Sequence, residues 1–114
     1  MLKLICSDVD GTLVPDGGHE LNPEYFSQIR RLKKAGILFA AVSGRSYSSL
    51  EKLFAPVIDD ILFICDNGAR TIFRGRVLSC HTIPHKLALE IIRDIEALPG
   101  CTTYVSALKR GYVK

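Results

Sequence analysis

Three short apolar runs in the first half of the chain are separated by longer segments rich in polar and turn-forming residues. Short apolar runs bounded by turn residues are typical of strands that are buried on both faces. We therefore predict three buried strands, from Leu2 to Val9, from Ile37 to Val42 and from Ile61 to Cys65.

Helical patterns lie between these runs. The first helix is predicted to begin near Asn22 and Pro23, because asparagine caps helix N-termini and proline suits the first turn. Gly36 can adopt the left-handed conformation that often ends a helix. A second, shorter helix is predicted between Ser46 and Pro56. The alternation of strands and helices predicts right-handed crossovers and a parallel sheet covered on both faces.

The pattern changes after residue 68. A hairpin, a helix and a further strand are predicted there, and together they indicate the start of a separate α+β unit. We place the boundary near Gly68, with a partial core at residues 1–68 and the start of a second domain at 69–114. The predicted elements are a hairpin of Arg70 to Phe73 and Arg76 to Ser79, a helix from Pro84 to Leu98 with the apolar stripe Ala88, Ile91, Ile92 and Ile95, and a strand from Cys101 to Ala107.

Composition narrows the class of protein. The chain has 114 residues, of which 47% are apolar and 24% charged, as expected for a globular domain with an adequate core. No apolar run approaches the ~20 residues that span a bilayer. Lys3, Asp8 and Asp10 make the N-terminus unlike a signal peptide. The net charge of +3 is too weak to indicate nucleic acid. We expect a cytoplasmic protein with neither a membrane nor a nucleic-acid partner.

The cysteines and histidines lack the spacing of a metal site. Cys6 and Cys65 lie inside apolar runs, where a thiol behaves as a small hydrophobic side chain. The four cysteines include no CxxC pair, which disfavours metal and disulfide roles. His19, His81 and His85 are predicted to be surface or hairpin residues.

Two carboxylates follow the first predicted strand, in the segment from Asp8 to Thr12. A carboxylate can attack phosphorus and form an acyl phosphate, and Mg²⁺ can reduce the charge repulsion that opposes this attack. Alternate side chains of a strand point to the same side, so Asp8 and Asp10 can reach one small volume. Gly11 would let the backbone approach a phosphate, and the Thr12 hydroxyl can bond a carboxylate. The simpler interpretation is an ordinary Asp-rich turn.

Polar residues also follow the second and third strands. Ser43 can donate a hydrogen bond to a phosphoryl oxygen, while Gly44 and Arg45 add a backbone amide and a positive charge. Asn67 either binds a substrate group or only stabilises the turn before Gly68. Ligands of parallel α/β sheets bind beyond the carboxyl ends of the strands, so these groups are expected to meet there.

Two segments resemble signatures of the haloacid dehalogenase (HAD) superfamily of phosphohydrolases. The segment from Asp8 to Leu13 resembles the first signature, and Val42 to Arg45 resembles the second. The segment from Cys65 to Ala69 is similar to the entry to the cap domain in the Cof-type branch, which includes sugar phosphatases and phosphomannomutases. The resemblance implies a Rossmann-like parallel core, here partial, followed by the start of an α+β cap domain.

The resemblance also implies roles. Asp8 would be the nucleophile, and Asp10 would be the general acid and base. Both would take part in binding Mg²⁺, Asp10 through its backbone carbonyl. Ser43 would hold the transferring phosphoryl group, and the substrate would be a small phosphorylated metabolite. We therefore expect a Mg²⁺-dependent phosphomonoesterase.

The chain departs from the family pattern in length. Family members continue for well over a hundred residues, to a phosphate-binding lysine and an acidic motif that completes the metal site. Lys109 and Lys114 do not match that lysine. We therefore expect an N-terminal fragment with impaired activity. The first strand would then be an unpaired sheet edge, open to a homodimer or a complementing chain.

Two other functions remain open. A non-catalytic receiver-like module also collects acids at strand ends, but its phosphoacceptor follows the third strand, where Asp66 is the candidate. An inert structural fragment would show no response to Mg²⁺.

Overall fold

The computed structural model describes residues 1–16, 18–107 and 111–113, which form two compact units, Met1–Cys80 and His81–Lys114. In chain order the elements are β1 (Leu4–Asp8), α1 (Glu24–Lys34), β2 (Leu38–Val42), α2 (Tyr47–Leu53), β3 (Ile61–Cys65), β4 (Arg70–Phe73), β5 (Arg76–Cys80), α3 (His85–Glu96), β6 (Tyr104–Ser106) and β7 (Gly111–Val113), with 3-10 turns at Ala55–Val57 and Asp66–Gly68.

The first unit is built on a five-stranded sheet in the order β1-β2-β3-β4-β5. The first three strands are parallel, as predicted, and their register pairs Asp8 with Val42 and Val42 with Ile64. The helices α1 and α2 connect these strands, so the α/β, Rossmann-like class predicted from the sequence is confirmed.

The hairpin of β4 and β5 belongs to the first unit. The strand β4 pairs antiparallel with β3, from Leu62 opposite Phe73 to Cys65 opposite Arg70. The contacts therefore divide the chain after Cys80 rather than near Gly68, where the sequence pattern placed the boundary. Turn residues after β3 show that the strand ends, but they do not show which sheet receives the next strand.

Local signals set the ends of α1. The Asn22 side chain accepts a hydrogen bond of 3.0 Å from the amide two residues further on. At the other end Gly36 has a φ of +76°, and the amides of Gly36 and Ile37 donate to the carbonyls of Lys33 and Leu32, each at 3.0 Å. This pair of bonds is a Schellman motif, which needs a left-handed residue and so favours glycine. The predicted start and end of this helix are confirmed.

The hydrophobic core lies between the helices and one face of the sheet. The edge-to-face contacts of Phe63 with Tyr47 and Phe54, at 5.4 Å and 6.0 Å between ring centroids, tie β3 to the α2 segment. The buried residues of this core include Ile29, Phe39, Ala41, Leu50, Leu53, Phe54, Val57, Ile61, Phe63, Cys65 and Ile72.

The opposite face of the sheet is only partly covered within the described residues, and we call it the open face. Its residues on the parallel strands are Leu4, Cys6, Asp8, Leu38, Ala40, Val42, Leu62 and Ile64. Leu4 is 43% exposed and Cys6 is exposed, whereas the small Ala40 at the centre is buried. The larger β2 and β3 side chains of this face are half-buried.

Within the first unit two predictions are therefore wrong: its own elements cover only one face of the sheet, and the first strand is not buried. The strand order β1-β2-β3 advances in one direction, so crossovers of the same hand bring α1 and α2 to the same face. Among the described residues β1 pairs only with β2, and its alternate residues Leu4, Cys6 and Asp8 are exposed because they lie on the open face.

The second unit contains α3 and the β6–β7 hairpin, which confirms an α+β arrangement in this part of the chain. The predicted apolar stripe of α3 lines an apolar cavity of about 290 Å³ together with residues of β6. The predicted strand at Cys101 to Ala107 is shorter in the structure, where β6 spans Tyr104–Ser106. No helix in the described ranges is long and apolar enough to cross a membrane.

Candidate active site

The carboxyl ends of β1, β2 and β3 lie side by side at one edge of the parallel sheet. Asp8 is level with Val42, and Val42 is level with Ile64, so the loops after these three strands leave the sheet together. The residues predicted to bind phosphate or metal all lie on these loops or at the end of β1. The structure thus provides the shared edge that the sequence pattern requires.

Asp8 is exposed at the end of β1, and the loop that follows holds its carboxylate. The Thr12 hydroxyl donates to Oδ2 of Asp8 at 3.0 Å. The loop is compact because the carbonyl of Val9 accepts hydrogen bonds from the amides of Thr12, Leu13 and Val14, at 3.2, 2.9 and 2.9 Å. The turn places Thr12 beside Asp8 and fixes one oxygen of the carboxylate.

Gly11 makes this turn possible. Its φ is +78°, in the left-handed region that side chains disfavour, and its amide donates to the carbonyl of Val14 at 2.8 Å. A Cβ at this position would also come within 3.3 Å of the Asp16 carboxylate. The predicted role of Gly11 in approaching a phosphate stays a prediction, whereas its role in shaping the loop follows from its φ.

Asp10 and Arg45 form a two-pronged ion pair. Nε of Arg45 donates to Oδ2 of Asp10 at 2.9 Å and to Oδ1 at 3.2 Å, and a terminal guanidinium nitrogen donates to Oδ1 at 2.6 Å. The hydrogen bond from Arg45, with its positive charge, holds the pKa of Asp10 below its usual value. The same contact raises the pKa of Arg45. Asp10 is therefore held as a carboxylate.

Ser43 is the buried member of the group, with 7% of its surface exposed. Its backbone amide donates to the carbonyl of Ile64 at 2.9 Å, and its carbonyl accepts from the amide of Asn67 at 3.2 Å. Its hydroxyl oxygen accepts from the amide of Arg45 at 3.1 Å. Because the oxygen is held in this way, the hydroxyl proton can be donated to another acceptor.

A strained turn after β3 braces the Ser43 loop. Asp66, Asn67 and Gly68 all have positive φ values, of 51°, 55° and 93°. The amide of Asp66 donates to the carbonyl of Arg45 at 3.0 Å. A Cβ at Gly44 would lie 2.9 Å from Oδ1 of Asn67, so the absence of a side chain at position 44 lets the Asn67 amide pack against this loop. The structure thus brings Asn67 to Ser43 and Gly44.

Arg70 holds this turn in place, although it is not among the site residues predicted from the sequence. Arg70 is 5% exposed, and its guanidinium nitrogens lie 2.7 and 2.6 Å from Oδ2 of Asp66. The spacing of four residues between acid and arginine was the available signal. This ion pair engages the carboxylate that the receiver-like interpretation needs as a phosphoacceptor.

An open cavity of about 500 Å³ lies beside Arg45. It is lined by His19, Glu20, Arg45, Ser48, Ser49, Lys52 and Leu53. His19 is exposed, as predicted, and so are His81 and His85. The serines and Lys52 of this cavity were not identified from the sequence, because hydroxyl and lysine side chains on a short helix carry no distinctive pattern.

The carboxylates of this edge suit a hard cation only in part. Among the described residues no group of three or more His, Cys, Asp or Glu side chains is arranged to hold a metal ion. Mg²⁺ commonly takes one or two protein carboxylates and completes its shell with water and substrate oxygens. Since Arg45 engages the Asp10 side chain, the Asp8 carboxylate is the one of these two acidic side chains that an arginine does not engage.

Sequence comparison places these features in a known family. The family described as haloacid dehalogenase-like hydrolase matches residues 5–114. This chain belongs to the haloacid dehalogenase-like hydrolase family. The family predicted from the segments at Asp8 and Ser43 is therefore confirmed.

Individual HAD relatives agree with this assignment. The chain is 34% identical over 96 residues to phosphoglycolate phosphatase of Metallosphaera sedula. This match covers 82% of this chain and 43% of the relative. The chain is 31% identical over 75 residues to 5-amino-6-(5-phospho-D-ribitylamino)uracil phosphatase of Escherichia coli, covering 66% of this chain and 28% of the relative. A solved structure from Eubacterium rectale is 36% identical, with a TM-score of 0.83, and the match covers 98% of this chain and 43% of that one.

The HAD chain thus spans less than half the length of these relatives. The family match over residues 5–114 contains the ends of β1, β2 and β3, where the candidate site lies.

Proposed function

We propose that this chain carries the nucleophile-bearing part of a Mg²⁺-dependent phosphomonoester hydrolase site. The observation that carries the proposal is the arrangement at the strand ends, where Asp8 is oriented by Thr12 and Asp10 is joined to the Ser43 loop through Arg45. Membership of a hydrolase family and similarity to two phosphatases support it.

In the proposed reaction, an Asp8 carboxylate oxygen attacks phosphorus and the bond to the leaving oxygen breaks, which leaves an aspartyl phosphate. Asp10 is a carboxylate beside Arg45 in the free site, so in this proposal it takes up a proton from solvent when the substrate binds and gives that proton to the leaving oxygen. Its carboxylate then takes a proton from the water that attacks the aspartyl phosphate. The Ser43 hydroxyl donates to a phosphoryl oxygen and keeps the group aligned. Mg²⁺, when bound by the Asp8 carboxylate and the Asp10 carbonyl, would supply charge neutralisation.

The proposed substrate is a small phosphorylated metabolite. The two curated relatives named above are phosphatases of phosphoglycolate and of a phosphorylated ribitylaminouracil, which are both small phosphate esters. Because the described residues provide no group of three or more side chains arranged to hold a metal ion, we expect low turnover from this chain by itself.

The test is hydrolysis of p-nitrophenyl phosphate with Mg²⁺, comparing the wild type with Asp8→Asn. Loss of the nucleophile should lower kcat by more than about 10³-fold, or to background. Asp94→Asn, on the exposed surface of α3, is the matched control and should retain wild-type rates. Equal activity of wild type and Asp8→Asn would remove Asp8 from the mechanism.

A second measurement separates the receiver-like alternative. After mixing with beryllofluoride or a phosphoryl donor, the modified carboxylate is located by mass spectrometry or NMR. We expect modification at Asp8, since Asp66 is engaged by the nearly buried Arg70. Modification at Asp66 alone would favour a receiver-like module.

A further inference from the structure

We propose that Arg45 is a positioning residue, which fixes the Asp10 carboxylate against the Ser43 loop, and that it is not a ligand of the phosphoryl group. The inference rests on the proposed function, because positioning matters only if Asp10 transfers protons. It also revises the phosphate-binding role that the charge of Arg45 suggests from the sequence.

The first support is the geometry at Asp10. This side chain is 52% exposed and follows the end of a strand, so it has freedom to rotate. Three donor–acceptor contacts of 2.6 to 3.2 Å from the planar guanidinium define both the position and the plane of the carboxylate. Charged, two-pronged contacts of this kind add geometric specificity as well as energy.

The second support is that Arg45 is itself held from several sides. Its other terminal nitrogen donates to the hydroxyl of Ser49, in the first turn of α2, at 3.3 Å. Its backbone amide donates to Oγ of Ser43 at 3.1 Å, and its carbonyl accepts from the amide of Asp66 at 3.0 Å. Arg45 therefore links the loops after all three parallel strands, and it transmits their position to Asp10.

The third support is that the two-nitrogen edge of the Arg45 guanidinium faces Asp10. The edge formed by Nε and one terminal nitrogen already engages Asp10. A phosphoryl group would have to break this pair to occupy that edge. Because its guanidinium is already paired with Asp10, Arg45 is better suited to orient the Asp10 carboxylate than to bind the phosphoryl group.

The first experiment tests the geometry without needing turnover. The Nε–H signal of Arg45 is followed by ¹⁵N NMR in the wild type and in Asp10→Asn, which keeps the size of the side chain but removes its charge. A slowly exchanging proton in the wild type that becomes fast in Asp10→Asn is expected. Fast exchange in both proteins would show that the pair is not maintained in solution and would overturn the inference.

The second experiment tests the consequence for catalysis with p-nitrophenyl phosphate. Because a misplacement of about 1 Å can reduce rates about 10²-fold, Arg45→Gln should lower kcat by about that factor with KM within about 3-fold of wild type. Arg45→Lys keeps the positive charge but lacks the planar two-nitrogen edge, and it should recover part of the rate lost in Arg45→Gln. Added guanidinium should also raise the kcat of Arg45→Ala. Arg31→Gln, an exposed arginine of α1, is the matched control.

The outcomes separate this inference from the proposed function. If Arg45→Gln raises KM and leaves kcat unchanged, Arg45 binds the phosphoryl group and the inference fails while the phosphatase function stands. If Arg45→Gln has a higher kcat than the wild type, the ion pair with Arg45 opposes proton transfer by Asp10. This result would also overturn the inference. If the wild type does not exceed Asp8→Asn, the proposed function fails, and with it the role of Arg45 in proton transfer. The NMR result then decides only whether Arg45 orders Asp10.

Discussion

The carboxylate of Asp10 makes one ion pair sensitive to acid. Arg45 holds the pKa of Asp10 below the usual 3.8, so the pair stabilises the fold above that value and the stabilisation is lost as the pH falls through the lower, folded-state pKa. Because Asp10 is about half exposed, we expect the pair to contribute less than about 1 kcal/mol.

The measurement is urea unfolding of the wild type and Asp10→Asn across the range from neutral to strongly acidic pH. The wild type should be the more stable protein near neutral pH, and the difference should shrink below pH 3.8. Asp94→Asn provides the reference for removing an exposed carboxylate elsewhere. A difference that grows in acid would contradict the ion pair.

Single residues show where the sequence was informative. Asp8 and Thr12 are four residues apart, and their contact follows from a local turn that the sequence predicts. The contact of Asp10 with Arg45 joins residues 35 apart, and no local signal specifies which carboxylate an arginine reaches. The sequence therefore singled out these residues as candidates, but it did not show which of them contact one another.

At the level of elements, α1 offers a direct test of helix termination. Gly36 has a φ of +76°, and a Cβ there would meet no atom within 4 Å, so conformation alone disfavours other residues. Gly36→Ala should lower the free energy of unfolding by about 1–2 kcal/mol. Gly36→Asn should cost less, because asparagine tolerates the left-handed region. Chemical denaturation of the three proteins measures both effects, and equal stability of all three would contradict the Schellman motif.

The strands and helices themselves were predictable because their signals are local: apolar runs, caps and breakers. The partner of the β4–β5 hairpin was not, since a strand such as Arg70–Phe73 can pair with either of two sheets. Its alternating buried residues, Arg70 and Ile72, show that it continues the sheet of the first unit. The sheet that the β4–β5 hairpin joins is therefore determined by tertiary packing and not by the sequence of the hairpin.

At the scale of the molecule, the unpaired edge of β1 remains the candidate for association. Within the described residues β1 lies at the end of the five-stranded sheet, and Leu4 is 43% exposed. Exposed apolar edge strands pair readily with other chains, and a lysine on such an edge opposes pairing. We propose that this edge binds a second copy or a complementing chain.

Size-exclusion chromatography with light scattering tests this proposal over a range of concentrations. The wild type should gain mass with concentration, and Leu4→Lys should remain smaller. Leu98→Lys, which places the same charge at a position 56% exposed in the second unit, is the control and should behave as the wild type. A wild type that stays monomeric at every concentration would count against association.

The cytoplasmic location and the lack of nucleic-acid and membrane partners stay predictions.

The open face also affects how sequence variation in this chain should be interpreted. On β3, Phe63 is buried by the helices while its neighbours Leu62 and Ile64 are only half-buried. A complete scan of substitutions on the purified chain should therefore show tolerance that alternates along this strand. If the same variants are instead selected for function in cells, the tolerance at each position reflects the protein in its functional assembly. If the alternation disappears there, with polar residues rejected at Leu62 and Ile64 as well, another polypeptide surface covers that side of the sheet in the cell.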